Sequence, residues 1–341
     1  MAGDLITANR HEVGEEKHSV RLSQLDFSDL YISVNGDVLM RGADNAKGPL
    51  TEIPEGVVND LDTLQLMVFE RGQTKKSFFV DYDNVRYRVT KIRTQDCDWF
   101  TLRKSKSEIP RIKQLGGFPG PVLQYLARLG RHHGLIVLSG ATGQGKTTTA
   151  CSLLHEYLLA FGDIAVTIED PPEMMLDGPH GNFGRCFQLR LEDGEDFGSA
   201  LHDAMRHTPR YIFMGELRKS NDASQALRAA ISGHLVITTI HAGSVEETLN
   251  SLIKLTSGEE SVEFARDLLA GGLAGVIHQT LIRSNGQKPR LQIRFLFPGN
   301  DSGIRSLIRD GSINQLSTQI EQQATRVMQG KSPIDHLVKR G

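Results

Sequence analysis

At 341 residues the chain is long enough for two domains, each with its own buried core. It is 39% hydrophobic and 23% charged, and 39 Lys plus Arg against 41 Asp plus Glu leave a net charge of −2. That balance gives no electrostatic case for nucleic acid or for a polybasic membrane anchor. The N-terminus, MAGDLITANRHEVGEEKH, lacks the basic-then-apolar order of a signal peptide. The longest apolar runs, such as Leu135–Leu138, are far short of the ~20 residues a membrane span needs. Cys97, Cys151 and Cys186 are scattered without C-x-x-C spacing, which indicates neither a disulfide framework nor a zinc site and fits reduced thiols.

Residues 1–21 read as a flexible tail, and 22–103 as a small α+β domain. In it, Leu30–Val34, the turn Asn35-Gly36-Asp37 and Val38–Met40 carry a hairpin signal. Apolar residues at helical spacing (Val58, Leu61, Leu64, Met67 or Val68) predict a helix over Val57–Arg71. Phe78–Val80, Val85–Val89 and Trp99–Leu102 read as strands. Residues 104–120, basic and then rich in Gly and Pro, read as a linker, with a hinge near Lys104–Pro110. From 121 to 341 strands and helices alternate: Leu135–Ser139, Lys146–Ala160, Ile164–Ile168, Phe197–Arg206, Tyr211–Met214, Ala223–Ser232 and Leu235–Thr239. The alternation predicts an α/β domain with a mostly parallel sheet covered on both faces. Beyond Ser244 the chain reads as helical, including Ser312–Gly330 and Pro333–Arg340, apart from a hairpin at His278–Arg283 and Arg290–Phe297.

The chemistry centres on Gly140-Ala141-Thr142-Gly143-Gln144-Gly145-Lys146-Thr147, followed by Thr148, which fits G-x-x-x-x-G-K-[S/T]. Glycines let backbone N–H groups turn onto phosphate oxygens, Lys146 reaches the β/γ-phosphates, and the Thr147 hydroxyl is placed for Mg²⁺. An apolar strand leads in and a helix leads out, as the mechanism requires, so the ATP site is read from context and not from the pattern alone. Two further strands end in acids: Ile164–Ile168 in Glu169-Asp170-Pro171-Pro172, and Tyr211–Met214 in Gly215-Glu216. In parallel sheets ligands sit beyond these ends. Glu216 occupies the place of a Walker B acid without the usual Asp before it. The plain alternative for Glu169 and Asp170 is a solvated turn. His234 and His241 flank the strand Leu235–Ile240, as a pair that senses the γ-phosphate or carries strain to the next subunit, or as satisfied structural histidines.

GATGQGKTTT (Gly140–Thr149), TIEDPPE (Thr167–Glu173) and RYIFMGELRKSNDASQALRAAISGHLVITTIHAGS (Arg210–Ser244) resemble, in order, the Walker A, Asp, Walker B and His boxes of the hexameric secretion and type IV pilus ATPases. The resemblance is strongest to the pilus-retraction, PilT-like branch. GIRSLIRDGSINQL (Gly303–Leu316) is similar to that branch's A-I-R-N-L-I-R element, with Gly303 for Ala and Ser306 for Asn. Gln144 stands where the family's loop commonly has Ser, and Pro172 and the run Leu176–Asp196 depart from the family's usual segment. The resemblance covers nearly all of residues 21–330. It implies a RecA-like P-loop NTPase domain behind a smaller PAS-like domain, with nucleotide bound between them.

The resemblance also implies a cytoplasmic homohexamer, peripheral at the bacterial inner membrane, that works on a platform component there. In it, Lys146 and Thr147 bind phosphate and Mg²⁺, while Glu169 and Glu216 act as catalytic acids that handle the metal, directly or through water. His234 and His241 form the His box. Family members also place N-domain arginines on the nucleotide. Arg86 and Arg88 alternate with Val85, Tyr87 and Val89, and Arg103 stands opposite Leu102, so Arg88 and Arg103 are the candidates; otherwise they are solvated strand residues. A type IV secretion or conjugative-transfer motor fits the same boxes. A nucleic-acid motor has only 6% aromatic residues and a balanced charge against it. A nucleotide-binding ring subunit without catalysis is disfavoured by the intact Lys146, Thr147, Glu169 and Glu216.

Overall fold

The computed structural model describes residues 21–43, 48–54, 57–105, 108–191, 196–282 and 289–334. The tail before Arg21, part of the hinge near Lys104–Pro110, and the helix read over Pro333–Arg340 beyond Ile334 lie outside the described residues. The chain divides into two compact units, Met1–Ser107 and Glu108–Gly341.

The first unit is an antiparallel sheet with one long helix. Its elements are β1 (Asp29–Ser33), β2 (Val38–Arg41), β3 (Leu50–Glu52), α1 (Val58–Gly72), β4 (Ser77–Tyr82), β5 (Val85–Arg93) and β6 (Asp98–Lys104), with strand order β3-β2-β1-β6-β5-β4. Leu61, Leu64 and Val68 form the buried stripe of α1, against Leu30, Ile32, Tyr87, Val89, Phe100 and Leu102 of the sheet. Asp83 and Asn84 link β4 to β5 with φ of 48° and 60°, the left-handed geometry that a two-residue hairpin turn requires. Strand alternation leaves Arg86 and Arg88 on the face away from this core, and the register sets Arg88 directly opposite Arg103.

In the second unit, α2 (Gly120–Leu129) precedes β7 (Gly134–Ser139), α3 (Lys146–Phe161), β8 (Asp163–Glu169), β9 (Gly178–His180) and β10 (Gly184–Arg190). There follow α4 (Phe197–Met205), β11 (Tyr211–Met214), α5 (Ser220–Ile231), β12 (Leu235–Ile240), α6 (Val245–Thr256) and α7 (Val262–Gly272). Next come β13 (Leu273–Ile282), β14 (Arg290–Leu296), α8 (Ser302–Arg309) and α9 (Ser317–Met328). The eight strands run β14-β13-β7-β12-β11-β8-β10-β9, parallel from β13 to β10 and antiparallel at the two edges. Each central strand is apolar on both faces. In β7, Leu135 and Val137 enter a core with α4 to α8, whereas Ile136 and Leu138 enter a second core with α2 and α3. The expected mostly parallel, doubly covered sheet is what forms.

Two segments differ from their sequence reading. Of the expected linker, 104–120, the described part from Glu108 onward is a strap on the second unit. Ile112 and Phe118 are buried in its core, and Arg111 donates two hydrogen bonds to Glu156 of α3, at 2.6 and 2.7 Å. Gly117 has φ +71°, and a Cβ there would lie 1.9 Å from the Leu291 carbonyl oxygen of β14. The glycine marks a close backbone approach and not flexibility. Within the run Leu176–Asp196, to which the sequence assigns no element, Gly178–Arg190 forms the β9–β10 hairpin, with β10 in parallel register beside β8. The A-I-R-N-L-I-R-like segment forms α8, whose Arg305 donates to the carbonyls of Ala270, Gly271 and Leu273 at the end of α7 and to that of Gly299. That arginine closes a helix C-terminus, where carbonyls lack partners and a cation is favoured.

Candidate active site

The phosphate loop connects β7, whose six residues are all buried, to α3. Gly140, Gly143 and Gly145 have φ of +148°, +75° and +79°. At Gly140 a side chain is also excluded by space, because a Cβ would lie 2.4 Å from the main-chain oxygen of Gln279 on β13. Lys146, at the first turn of α3, is 7% exposed. Its ammonium donates to the carbonyls of Gly140 at 2.8 Å and Ala141 at 3.0 Å and lies 3.3 Å from Nδ1 of His241. Burial holds its pKa below the usual lysine value, against the opposing pull of Glu216 and Glu173. Thr147 and Thr148 follow half-buried on the same turn.

Gln144 is turned away from the loop's interior. Its side-chain oxygen accepts from Leu281 N–H, and its main-chain oxygen accepts from Gln279 Nε2 at 2.6 Å. The residue that departs from the family's loop thus staples that loop to β13. Gln279, buried at 1% exposure, was not legible as a site residue, because only the sheet order brings β13 beside β7.

Glu169 ends β8 on the same sheet face as Ala165, the face covered by α3. It is 2% exposed, and burial raises its carboxyl pKa to about 7 although hydrogen bonds from neighbours oppose the rise. One of those donors is Gln188 of β10, whose Nε2 lies 3.0 Å from Oε1. Gly215 sits beside this carboxylate: a Cβ there would come within 3.4 Å of Glu169 Cγ. Glu216 comes next and is partly exposed. Its Oε2 accepts from Arg218 at 2.7 Å, and its Oε1 lies 3.1 Å from Nε2 of His241. An Nε2–H donor and an Nδ1 acceptor on His241 satisfy both of its contacts. Lys146, His241 and Glu216 therefore form one chain of contacts across the ends of β7, β12 and β11. Below the loop, Thr248 donates to Ser139 Oγ at 2.7 Å, and His278 Nδ1 is 3.3 Å from the same oxygen.

The histidine pair is not brought together. His234 precedes β12 and His241 follows it, so a strand of six residues, roughly 20 Å at ~3.3 Å per residue, separates them. His234 Nδ1 lies 2.6 Å from the Pro209 carbonyl oxygen at the opposite end of the sheet. The two histidines therefore do not meet at one phosphate site of this chain. Arg88 and Arg103 both belong to the first unit, where Arg103 Nε bonds Asp29 at 2.7 Å. Sequence reasoning missed Gln188, Gln279 and Arg218. For Arg218 a signal was present, a cation two residues after the Walker B acid.

Among the described residues no group of three or more His, Cys, Asp or Glu is arranged to hold a metal. Mg²⁺ takes oxygen donors and usually keeps several of its waters. The half-buried Thr147 hydroxyl and the partly exposed Glu216 offer the oxygen donors such an ion takes.

The sequence profile described as Type II/IV secretion system protein matches residues 73–331. A relative named uncharacterized protein YggR from Escherichia coli K12 is 32% identical over 76% of this chain and 77% of its own length. The type IV pilus retraction ATPase PilT of Pseudomonas aeruginosa is 30% identical over 69% of this chain and 66% of its own. Among solved structures, the pilus retraction motor PilT with bound ADP superposes with a TM-score of 0.73 at 28% identity, covering 91% of this chain and 87% of that one. With its phosphate loop, two strand-end carboxylates and bridging histidine in one place, the chain belongs to the type II/IV secretion system protein family and is a P-loop ATPase resembling the PilT-like members.

Proposed function

We propose that this protein is a ring-forming motor, a homohexamer, that hydrolyses ATP to ADP and phosphate at the cytoplasmic face of the inner membrane. There it works on a platform component of a type IV pilus of the retraction type. The observation that carries the catalytic part is the convergence of Lys146, His241, Glu216 and Glu169 on the C-terminal rim of β7, β12, β11 and β8. Likeness to a retraction motor over 91% of the chain supports the machine. Among the described residues no helix is long and apolar enough to cross a membrane; in this reading the platform component provides the attachment.

In this mechanism the loop's N–H groups and the N-terminus of α3 take the phosphates, and Lys146 exchanges its loop carbonyls for the β/γ-phosphate oxygens. Thr147 and, through water, Glu216 would hold Mg²⁺, which would supply positive charge against those phosphates. Glu169 takes a proton from the water that attacks the γ-phosphorus; the bond to the β,γ-bridging oxygen breaks and ADP leaves. A carboxylate whose pKa lies near the working pH is suited to that transfer. His241 touches both Lys146 and Glu216, so a shift of either is felt by the other. Arg88 and Arg103 supply additional positive charge to a nucleotide.

A type IV secretion or conjugative-transfer motor is the second reading. It is favoured by the changed residues Gly303 and Ser306 in α8 and by the commitment of Arg305 to capping α7. Mg²⁺-ATP turnover against protein concentration, with particle size in parallel, tests the motor. Turnover should rise as a ring of about six subunits assembles and should vanish in Glu216→Gln with nucleotide binding retained. An assembled ring that binds ATP without hydrolysing it overturns the proposal.

A further inference from the structure

The β9–β10 hairpin enters the site at one point. Gln188 of β10 lies in register with Thr167 of β8, two residues before Glu169, and alternation puts its side chain on the sheet face that carries Glu169. Its amide makes three bonds: Nε2 donates to Glu169 Oε1 at 3.0 Å and to the Met174 carbonyl at 2.7 Å, while Oε1 accepts from Leu176 N–H at 3.2 Å. Its own N–H donates to Asp177 at 3.0 Å. One side chain therefore ties the carboxylate, which Thr167 and the Glu173 N–H also approach, to the loop that leads from it into the hairpin. The hairpin is itself anchored to α3, since His155 and His180 meet through their Nδ1 atoms at 2.7 Å and His180 Nε2 faces the Leu176 carbonyl at 2.7 Å.

We infer that Gln188 is a positioning residue for hydrolysis, which holds one oxygen of Glu169 so that the other is presented to the attacking water. The inference deepens the assignment of Glu169 as the base and rests on it. The chemistry favours an amide here. A neutral donor orients a buried carboxylate without forming the ion pair that would hold it ionised and weaken it as a proton acceptor. It also leaves no amide hydrogen-bonding group on Nε2 unpaired, because the second N–H goes to Met174.

The test is a double-mutant cycle on the assembled full-length protein, reading kcat and KM for Mg²⁺-ATP together with thermal melting. Gln188→Leu should lower kcat by about 10- to 100-fold, the scale of a misplaced catalytic group, with KM within about twofold. In a Glu169→Gln background the same substitution should cost nothing further, because Gln188 acts through the carboxylate that is already gone. A purely structural role would lower kcat by the same factor in both backgrounds, or would raise KM alike, and either result overturns the inference. Should Gln188→Leu fail to fold, Gln188→Asn keeps the amide but withdraws it by one methylene, and the same cycle applies. If Glu169→Gln alone keeps wild-type turnover, the base assignment falls and takes the inference with it. If Glu169→Gln is inactive but Gln188→Leu is not, the inference alone falls.

Discussion

The two carboxylates of the site stand on neighbouring strands in opposite surroundings. Glu169 is buried, touches the neutral amide of Gln188, and has its pKa lifted to about 7 by desolvation. Glu216 is partly exposed and sits between the Arg218 guanidinium and the His241 imidazole. Burial against α3 makes the first a proton acceptor matched to neutral pH. The second is linked to Lys146 through His241. In the proposed mechanism two acids one strand apart take different roles because of what covers them, and not because of their residue type.

Glu169→Gln should, with Glu216→Gln, give the most severe break in this comparison. Turnover should fall by about 10²- to 10⁴-fold with nucleotide binding kept, as for loss of a general base. The same change should raise stability. The folded pKa of Glu169 lies above its unfolded value of 4.5, so the folded state binds the proton more tightly and stability declines as pH rises between 4.5 and about 7. At pH 8 the melting temperature of the variant should exceed that of wild type. The difference should shrink as pH falls through 7 and be gone near 4.5. Equal melting temperatures across that range would mean that Glu169 is not a strained buried charge.

His241→Ala should come next, at about tenfold in kcat, with nucleotide affinity little changed, because it uncouples Lys146 from Glu216 without removing either. Gln144→Ala removes the bond to Leu281 N–H and should weaken nucleotide binding about fivefold, the worth of about 1 kcal/mol, while leaving kcat near wild type. His234→Ala should have the smallest effect, within about threefold in turnover, since His234 is bonded to Pro209 at the far end of β12. A loss at His234 as large as that at His241 would show that the two do act as a pair.

Much of this site was readable because its signals are local. A phosphate loop needs glycines at fixed spacing between a strand and a helix, and Gly140–Thr147 shows all of that within one short window. Glu169 and Glu216 follow apolar runs directly, so their place at strand ends needed only the parallel alternation. What escaped depends on register between distant segments. Gln188 meets Glu169 only because β10 adds beside β8, and β10 shows no apolar alternation: Phe187 and Leu189 are exposed while Cys186 is buried. Gln279 reaches the loop only because β13 inserts between β14 and β7. His234 and His241 group together through the His-box resemblance and the strand they flank, whereas a strand carries its two flanks to opposite ends of the sheet. The strap at 108–120 was taken for a linker because Gly and Pro signal turns equally well in flexible and in tightly packed backbone.

The most direct test of the different roles is the pH dependence of single-turnover ATP hydrolysis by the assembled ring. Glu169 must be ionised to accept the proton, so the rate should climb with pH through about 7, and the residual rate of Glu169→Gln should lose that limb. A wild-type rate that stays flat from well below to well above that value would contradict the assignment of Glu169 as the base.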